Sequence, residues 1–327
     1  MRQIQLQKPG QFIDRQVPRP NAFAGEALVR ICAVGICGSD FHAFAGSHPA
    51  YTYPRVLGHE LSGIVVEVPP NEKGIQVGDS CAIEPYLSCG ECPSCVAGRN
   101  NCCERLRVLG IHVDGGMQGA LSVPLSLLHK SDRLSLEQLA LIETLGVGAH
   151  AVERSHLSEG ESALVIGLGP IGMASAQFAR AAGAAVRVLE KNEWRRKLAE
   201  RVGFEALSEP DDKLADVVFD ATGSGKSMGA SIHRAAHGGR VVYVGLTREE
   251  VAIDDPLFHR RELTLYASRN SCGQFPRIIR MIENNEIDTS YWITDRLKLT
   301  DVLRGFTALA GNPKVMKAIV DIEETDG

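Results

Sequence analysis

Four cysteines are spaced so that one short segment of the chain can surround a single metal ion. They follow the pattern C-x2-C-x2-C-x7-C and are Cys89, Cys92, Cys95 and Cys103. Four thiolates bind a structural zinc ion in a tetrahedral arrangement, and close spacing lets one loop supply all of them. We therefore predict a structural zinc lobe at about residues 86–106.

A zinc lobe can also grip a nucleic acid, but the charge pattern argues against that function. The lobe carries Arg99, Arg105 and Arg107, with Glu91 and Glu104 among them. The whole chain has a formal net charge of -5, whereas nucleic-acid-binding proteins concentrate basic residues on one surface. We expect a small molecule as the partner, and no nucleic acid.

The use of cysteine indicates a reducing compartment. The nine cysteines are an odd number and are clustered, which favours free thiols over a disulfide framework. No charged and then apolar N-terminal segment precedes them. The uncharged run 162–179 is interrupted by glycines and a proline in its first half, so it does not predict a membrane span. We expect a cytoplasmic protein without a membrane segment.

The pattern of extended and helical segments predicts two domains, as does a length of 327 residues. Short extended segments fill the first third, whereas strand, glycine turn and helix alternate from residue 163 onward, which is typical of a parallel sheet covered by helices. A single helix over 136–154 would join the two. We place the domains at 1–147 and 148–270, with 271–327 returning to the first domain.

A glycine-rich turn at the start of the second domain predicts a dinucleotide site. Gly167, Gly169 and Gly172 form G-x-G-x-x-G between an apolar strand and a long helix. The first glycine permits a tight turn, the second lets the pyrophosphate approach the backbone, and the third allows close packing of helix and strand. Pro170 and Ile171 lie within this turn and are expected to contact the cofactor.

An acidic residue at the end of the next strand indicates which dinucleotide is bound. Glu190 lies about 20 residues beyond the glycines, where a carboxylate accepts hydrogen bonds from the adenosine ribose and repels a 2′-phosphate. NAD is therefore favoured over NADP, although Lys191, Arg195 and Arg196 soften this preference. Further cofactor contacts are predicted at Lys191 and at later strand ends, at Thr222, Gly245, Leu246, Ser268 and Arg269.

Two more segments carry metal-ligand residues and complete a resemblance to a known family. They are 35–42, which reads GICGSDFH, and 58–60, which reads GHE. These segments, the cysteine lobe and the glycine turn, in this order, resemble the zinc-dependent medium-chain dehydrogenases of the alcohol dehydrogenase superfamily. The overall pattern is most similar to the sorbitol and L-galactonate dehydrogenase branch.

The resemblance implies an α/β protein. A GroES-like β-barrel catalytic domain would be followed by a Rossmann domain with a doubly wound parallel sheet, with the active site in the cleft between them. It also implies a homo-oligomer, either a dimer or a tetramer. The family spacing selects Cys103 over its neighbour Cys102 as the fourth lobe ligand.

A second zinc ion, the catalytic one, is implied at Cys37 and His59. Glu60 would be either a direct ligand or a carboxylate that swings toward the metal. Glu143 stands where alcohol-oxidising members carry cysteine and polyol-oxidising members carry glutamate. Considered one at a time, these residues also have simpler explanations. Cys37 could be a small buried side chain, His59 a histidine of the core and Glu143 a charge on a helix surface. Their joint spacing favours a metal site.

The resemblance also implies roles in proton transfer and cofactor binding. Ser39 would accept the proton of the alcohol, and His42 would pass it to solvent. Lys317 would approach the pyrophosphate. Arg269 has a second role open to it, at a substrate carboxylate or hydroxyl pair.

These features predict a zinc-dependent oxidoreductase that moves a hydride from a secondary alcohol of a polyol or sugar acid to NAD, with two zinc ions per chain. A simple alcohol dehydrogenase and a threonine-type dehydrogenase remain alternatives within the enzyme class. Outside it, the alternative is a catalytically silent protein that binds NAD and zinc.

Overall fold

The computed structural model describes residues 1–323 and divides the chain into two compact units. Unit 1 comprises Met1–Glu143 and the chain from Phe275 onward, and unit 2 comprises Thr144–Gln274. The sequence placed these boundaries after residues 147 and 270. Both structural boundaries lie at or near the start of a helix, where the apolar pattern of the sequence does not mark a domain boundary.

The strands occupy the following bounds: β1 (Arg2–Lys8), β2 (Gln11–Gln16), β3 (Glu26–Ile36), β4 (Glu60–Glu67), β5 (Ser80–Ile83), β6 (Tyr86–Leu87), β7 (Arg107–Val108), β8 (Ala120–Pro124), β9 (Leu128–Lys130), β10 (Ser162–Ile166), β11 (Ala185–Leu189), β12 (Glu205–Leu207), β13 (Ala215–Asp220), β14 (Ala235–Tyr243), β15 (Thr264–Ala267), β16 (Ile293–Lys298) and β17 (Lys317–Asp321). The helices are α1 (Gly38–Phe44), α2 (Pro93–Val96), α3 (Leu136–Ala140), α4 (Ile142–Arg154), α5 (Pro170–Ala181), α6 (Glu193–Arg201), α7 (Gly225–Ser231), α8 (Asp255–Arg260), α9 (Phe275–Glu283) and α10 (Val302–Ala310). None of the helices in residues 1–323 has the length and apolar character needed to cross a bilayer.

The main sheet of unit 1 brings three distant parts of the chain to one end. Its strand order is β16-β17-β3-β4-β5-β9, and β8 also pairs with β3. Ile36 lies opposite Ala318, and Gly35 lies opposite Glu60. The end of β3, the start of β4 and the start of β17 therefore meet at one end of the sheet.

Burial explains why β3 reads as a nearly continuous apolar run. It lies between β17 and β4 and also pairs with β8, and most of its residues are buried. A strand covered on both faces needs apolar residues at successive positions, instead of the alternation of a half-exposed strand.

Unit 2 has the doubly wound parallel sheet that the sequence predicts. Its order is β12-β11-β10-β13-β14-β15, with every neighbouring pair parallel. Counted from β10, this order is 3-2-1-4-5-6, in which the topology reverses between β10 and β13. The glycine turn that follows β10 therefore lies at the switch point, where such sheets bind dinucleotides.

The helical segment predicted over 136–154 is present, but it is interrupted at Leu141. Helix α3 ends at Ala140, and α4 begins at Ile142. Ser135 and Gln138 form a capping box at the start of α3. The apolar period continues through Leu141, so periodicity alone gave no sign of the break.

Candidate metal centre and dinucleotide site

The cysteine lobe gathers four thiols around one point. The Sγ atoms of Cys89, Cys92, Cys95 and Cys103 all lie within 4.8 Å of one another. Cys102, by contrast, is exposed and does not belong to this group. The lobe thus brings together the four sulfur donors that a structural zinc site uses.

Backbone amides in the lobe favour the thiolate form that a metal needs. The Cys92 N–H donates to Cys89 Sγ at 3.4 Å, and the Arg105 N–H donates to Cys103 Sγ at 3.3 Å. Hydrogen bonds from the backbone of Glu91 and Cys92 lower the pKa of Cys89 to about 6. Because thiolates held this close repel one another, the donor set fits a cation at its centre.

A second group of donors lies at the end of the unit 1 sheet. Cys37, His59 and Glu60 each offer an atom within 4.8 Å of the others, and they provide the sulfur, nitrogen and oxygen that zinc accepts. Glu60 is 1% exposed, and its Oε2 has no hydrogen-bond partner within residues 1–323. A buried carboxylate oxygen beside a thiol and an imidazole fits a metal ion as its partner.

Gly35 makes room for this carboxylate. A Cβ atom at Gly35 would lie 2.0 Å from Glu60 Oε2 and 2.8 Å from Glu60 Cβ. A side chain at this position would therefore push the carboxylate out of its present place. The glycine in GICGSDFH thus has a steric role that the sequence motif did not reveal.

Lys317, which the sequence predicts to approach the pyrophosphate, is buried at the end of the unit 1 sheet. Lys317 is 2% exposed, and its Nζ donates to Glu60 Oε1 at 2.5 Å and to the carbonyl of Ile36 at 3.3 Å. Burial alone would lower the pKa of Lys317, but Glu60 and Cys37 beside it raise that pKa. The ammonium group stays charged, and both of its contacts lie within unit 1.

Asp40 is a residue of this site that the sequence reasoning missed. It is fully buried, its Oδ2 accepts the Cys37 N–H at 2.9 Å, and its Oδ1 lies 3.8 Å from His59 Nδ1. Burial alone would lower the pKa of His59, but Asp40 and Cys37 raise it well above its usual value. A carboxylate behind a histidine is the usual support of a metal ligand, so the aspartate three residues after Cys37 was a usable signal.

Glu143 lies near the three donors but is held by a different partner. The Tyr86 hydroxyl donates to Glu143 Oε1, and Glu143 is 6% exposed. Burial raises the pKa of Glu143, while His59 lowers it and Glu60 raises it further. Its carboxylate is outside the three-residue group. Tyr86, like Asp40, is a residue of this site that the sequence did not indicate.

The two residues predicted to move the proton differ in their placement. Ser39 Oγ lies 3.4 Å from His59 Nε2, so it borders the donor group directly. His42 is exposed, and its Nδ1 lies 3.3 Å from Ser47 Oγ. No direct hydrogen bond joins Ser39 to His42 within residues 1–323, so a relay between them needs an intervening group.

The glycine turn of unit 2 has the geometry that its motif requires. Gly167 has a φ of +86°, a value that favours glycine. A Cβ at Gly172 would lie 1.8 Å from the carbonyl oxygen of Gly167, whereas a Cβ at Gly169 would meet nothing within 4 Å. Gly169 caps the N-terminus of α5, with Pro170 and Ile171 as its first two residues. The helix N-terminus therefore faces open space suited to an anion.

Glu190 is buried at the end of β11 and stabilises the same turn. Its Oε2 accepts the Leu168 N–H at 2.6 Å, and its Oε1 accepts the Asn192 N–H at 2.8 Å. A carboxylate has about four acceptor positions, so capacity remains for ribose hydroxyls. Lys191 is exposed, while Arg196 donates to the carbonyls of Glu190 and Lys191.

The remaining predicted cofactor residues follow the C-terminal ends of β13, β14 and β15. Thr222 Oγ1 donates to Asp220 Oδ1 at 2.6 Å. Leu246 is 84% exposed, and the Ser268 hydroxyl is buried without a hydrogen-bond partner within residues 1–323. These positions, with Gly245 and Arg269, share one edge of the parallel sheet, which is the edge that carries the glycine turn.

Two glycine substitutions should separate stability from cofactor binding. Gly172→Ala forces a methyl group against the Gly167 carbonyl, and we expect it to cost about 3 kcal/mol and to lower the thermal transition. Gly169→Ala meets no protein atom, so the melting temperature should stay unchanged while dinucleotide affinity falls about tenfold. Circular dichroism and titration with NAD and NADP measure the two effects, and equal melting temperatures would contradict the assignment of Gly172.

Two family models match the chain along most of its length. Residues 24–133 match the model described as the alcohol dehydrogenase GroES-like domain, and residues 170–284 match the model described as zinc-binding dehydrogenase. The first match contains both groups of metal donors, and the second begins in the glycine turn.

Individual relatives are similar to this chain in sequence or in structure over nearly its whole length. The L-galactonate-5-dehydrogenase of Escherichia coli K12 is 36% identical over 96% of this chain and 97% of its own. A zinc-binding dehydrogenase structure from Sinorhizobium meliloti, bound to NADP, has a TM-score of 0.90 and 31% identity, covering 98% and 99% of the two chains. A short-chain alcohol dehydrogenase structure from Escherichia coli CFT073, complexed with NADH, has a TM-score of 0.93 and 27% identity, with the same coverage.

Proposed function

The chain belongs to the zinc-binding dehydrogenases that carry an alcohol dehydrogenase GroES-like domain, and from this we propose that it oxidises a secondary alcohol of a polyol or sugar acid with NAD. The observation that carries the proposal is the donor group of Cys37, His59 and Glu60, in the same chain as the glycine turn. The similarity to an L-galactonate dehydrogenase supports a polyhydroxylated substrate.

The two donor groups would hold one zinc ion each, which makes two per chain. Cys37, His59 and Glu60 would hold the catalytic ion, with Glu143 as a nearby carboxylate, and the four lobe cysteines would hold the structural ion. A catalytic zinc ion supplies Lewis acidity, which lowers the pKa of an alcohol hydroxyl. Asp40 would balance the charge of a His59 ring whose Nδ1 lies 3.8 Å from Oδ1, and the Tyr86 hydroxyl restrains Glu143.

Ser39 would take part in loss of the substrate proton. Its hydroxyl is both a donor and an acceptor, and it lies 3.4 Å from His59 Nε2. It can therefore accept a proton from a hydroxyl beside this group while donating its own onward. His42 is exposed, and its imidazole can both accept and release a proton, which suits exchange with solvent.

The preference for NAD rests on Glu190 and predicts a change of cofactor use. Bound NAD would supply the hydride acceptor, and the Glu190 carboxylate would accept hydrogen bonds from its ribose hydroxyls. We expect Glu190→Gln to lower the NAD over NADP ratio of kcat/KM about tenfold, because the repulsion of a 2′-phosphate is lost. Glu193→Gln is the matched control, since this exposed glutamate pairs with Lys197. An unchanged ratio in Glu190→Gln would contradict the assignment.

A substrate panel tests the proposed reaction. The zinc-loaded protein is assayed for NAD and NADP reduction with aldonates, the matching polyols, simple alcohols and threonine. We expect the largest kcat/KM for a secondary alcohol of an aldonate or polyol. A maximum for simple alcohols or threonine would replace the substrate class, and cofactor binding without turnover on any member would identify a silent NAD- and zinc-binding protein.

The family resemblance also supports a homo-oligomer, either a dimer or a tetramer, located in the cytoplasm. Sedimentation equilibrium of the purified chain tests the first part of this proposal, and a monomer at micromolar concentration would contradict it. Fractionation of the source cells tests the second part.

A further inference from the structure

Lys317 is a buried cation for which the proposed reaction has no use. It begins β17, beside the end of β3, and its exposed fraction is 2%. Burying an ammonium group is costly unless it is paired and hydrogen-bonded. Lys317 satisfies both conditions with Glu60 Oε1 at 2.5 Å and the carbonyl of Ile36 at 3.3 Å.

The two carboxylate oxygens of Glu60 differ in their hydrogen bonding. Oε1 is engaged by Lys317, whereas Oε2 has no hydrogen-bond partner within residues 1–323. Oε2 occupies the space beside Gly35 that a Cβ atom would fill. Of the carboxylate, only Oε2 is therefore free to meet a metal ion held by Cys37 and His59.

We propose that Lys317 is a positioning residue that holds Glu60 by Oε1 and thereby limits this carboxylate to one oxygen for the catalytic metal. The inference rests on the proposed metal site at Cys37, His59 and Glu60. A catalytic metal must keep a position open for its substrate, and a carboxylate with both oxygens free competes for that position. The ammonium group also balances the charge of Glu60 when no metal is bound.

The Lys317→Met variant tests this role through metal release, without any substrate. A methionine fills a similar volume but frees Glu60 Oε1 and removes the positive charge. We expect a chelator to extract the catalytic metal about tenfold more slowly, and the visible spectrum of the cobalt-substituted protein to change. The release phase of the catalytic metal is identified as the one that Cys37→Ser abolishes. Lys298→Met is the matched control, because Lys298 forms an exposed pair with Glu323 at 2.8 Å.

A second background shows whether Lys317 acts through Glu60. When Lys317→Met is added to Glu60→Gln, metal release should stay at the rate of the Glu60→Gln variant. The metal-free double variant should also regain the thermal stability that Lys317→Met alone loses. If Lys317→Met alone does not fold, recovery of folding in the double variant supports the proposal. Unchanged release and spectrum in Lys317→Met, an equal slowing in the Glu60→Gln background, or a double variant as unstable as the single one would overturn it. These readouts are independent of the substrate panel, so either idea can fail alone.

Discussion

Cys37→Ser is expected to lower turnover about a thousandfold or more while the chain stays folded and still binds NAD. The change replaces the only sulfur donor of the Cys37, His59 and Glu60 group, and a serine hydroxyl is a much poorer zinc ligand than a thiolate. A thousandfold loss corresponds to about 4 kcal/mol of transition-state stabilisation, which is within the contribution of a Lewis-acid metal. Steady-state kinetics with the preferred substrate measure the loss, and fluorescence titration measures NAD affinity.

Cys32→Ser is the matched control for this experiment. Cys32 lies five residues earlier, in strand β3, and its thiol donates to the carbonyl of Arg30. It belongs to neither group of metal donors, so its replacement should leave kcat and KM within a factor of two of the parent. Equal rates in Cys37→Ser and the parent protein would contradict the metal site.

Cys103→Ser is expected to produce the largest loss of stability. It removes one of four sulfur donors from the lobe, and structural zinc sites contribute about 10–16 kcal/mol of apparent binding free energy in small zinc-binding peptides. Regular structure in the lobe is limited to the two residues of β6, the short helix α2 and one 3-10 turn at Asn100–Cys102, so little else holds it together. We expect loss of one zinc ion, a lower melting temperature and cleavage of the lobe by protease.

The neighbouring residue supplies the control for the lobe. Cys102 is exposed and lies outside the donor group, so Cys102→Ser should keep the zinc content and melting temperature of the parent. The reverse pattern, with Cys102→Ser losing zinc and Cys103→Ser unaffected, would show that Cys102 is the fourth ligand. Metal analysis and differential scanning calorimetry distinguish these outcomes.

Local patterns were the reliable part of the sequence. The four lobe cysteines lie within 15 residues, and the glycine turn lies within six, so spacing along the chain carries most of their geometry. The order of strand, turn and helix likewise predicted the parallel sheet of unit 2, because each parallel crossover needs a helix between its strands.

Contacts between residues far apart in the chain could not be predicted from the sequence. Lys317 and Glu60 are 257 residues apart, and they meet because β17 and β4 flank β3 in a particular register. The Tyr86 and Glu143 contact spans 57 residues and depends in the same way on how β6 lies relative to the start of α4. A motif assigns residue types to positions, but register decides which side chains touch.

Asp40 is an intermediate case. It lies three residues beyond Cys37, at the start of α1, and its side chain accepts the Cys37 N–H. An aspartate near a helix start is usually a cap, so helix capping alone accounts for the local pattern. Only its full burial and the 3.8 Å approach to His59 Nδ1 reveal that it also lies beside the donor group of Cys37, His59 and Glu60.

Zinc content per chain tests the central claim most directly. The parent protein, Cys37→Ser and Cys103→Ser are purified in metal-free buffer, loaded with zinc, desalted and analysed by mass spectrometry of the metal. Two donor groups predict two zinc ions in the parent and one in each variant, with activity lost in Cys37→Ser. One zinc ion in the parent that persists in Cys37→Ser would contradict the catalytic metal site and leave only the lobe.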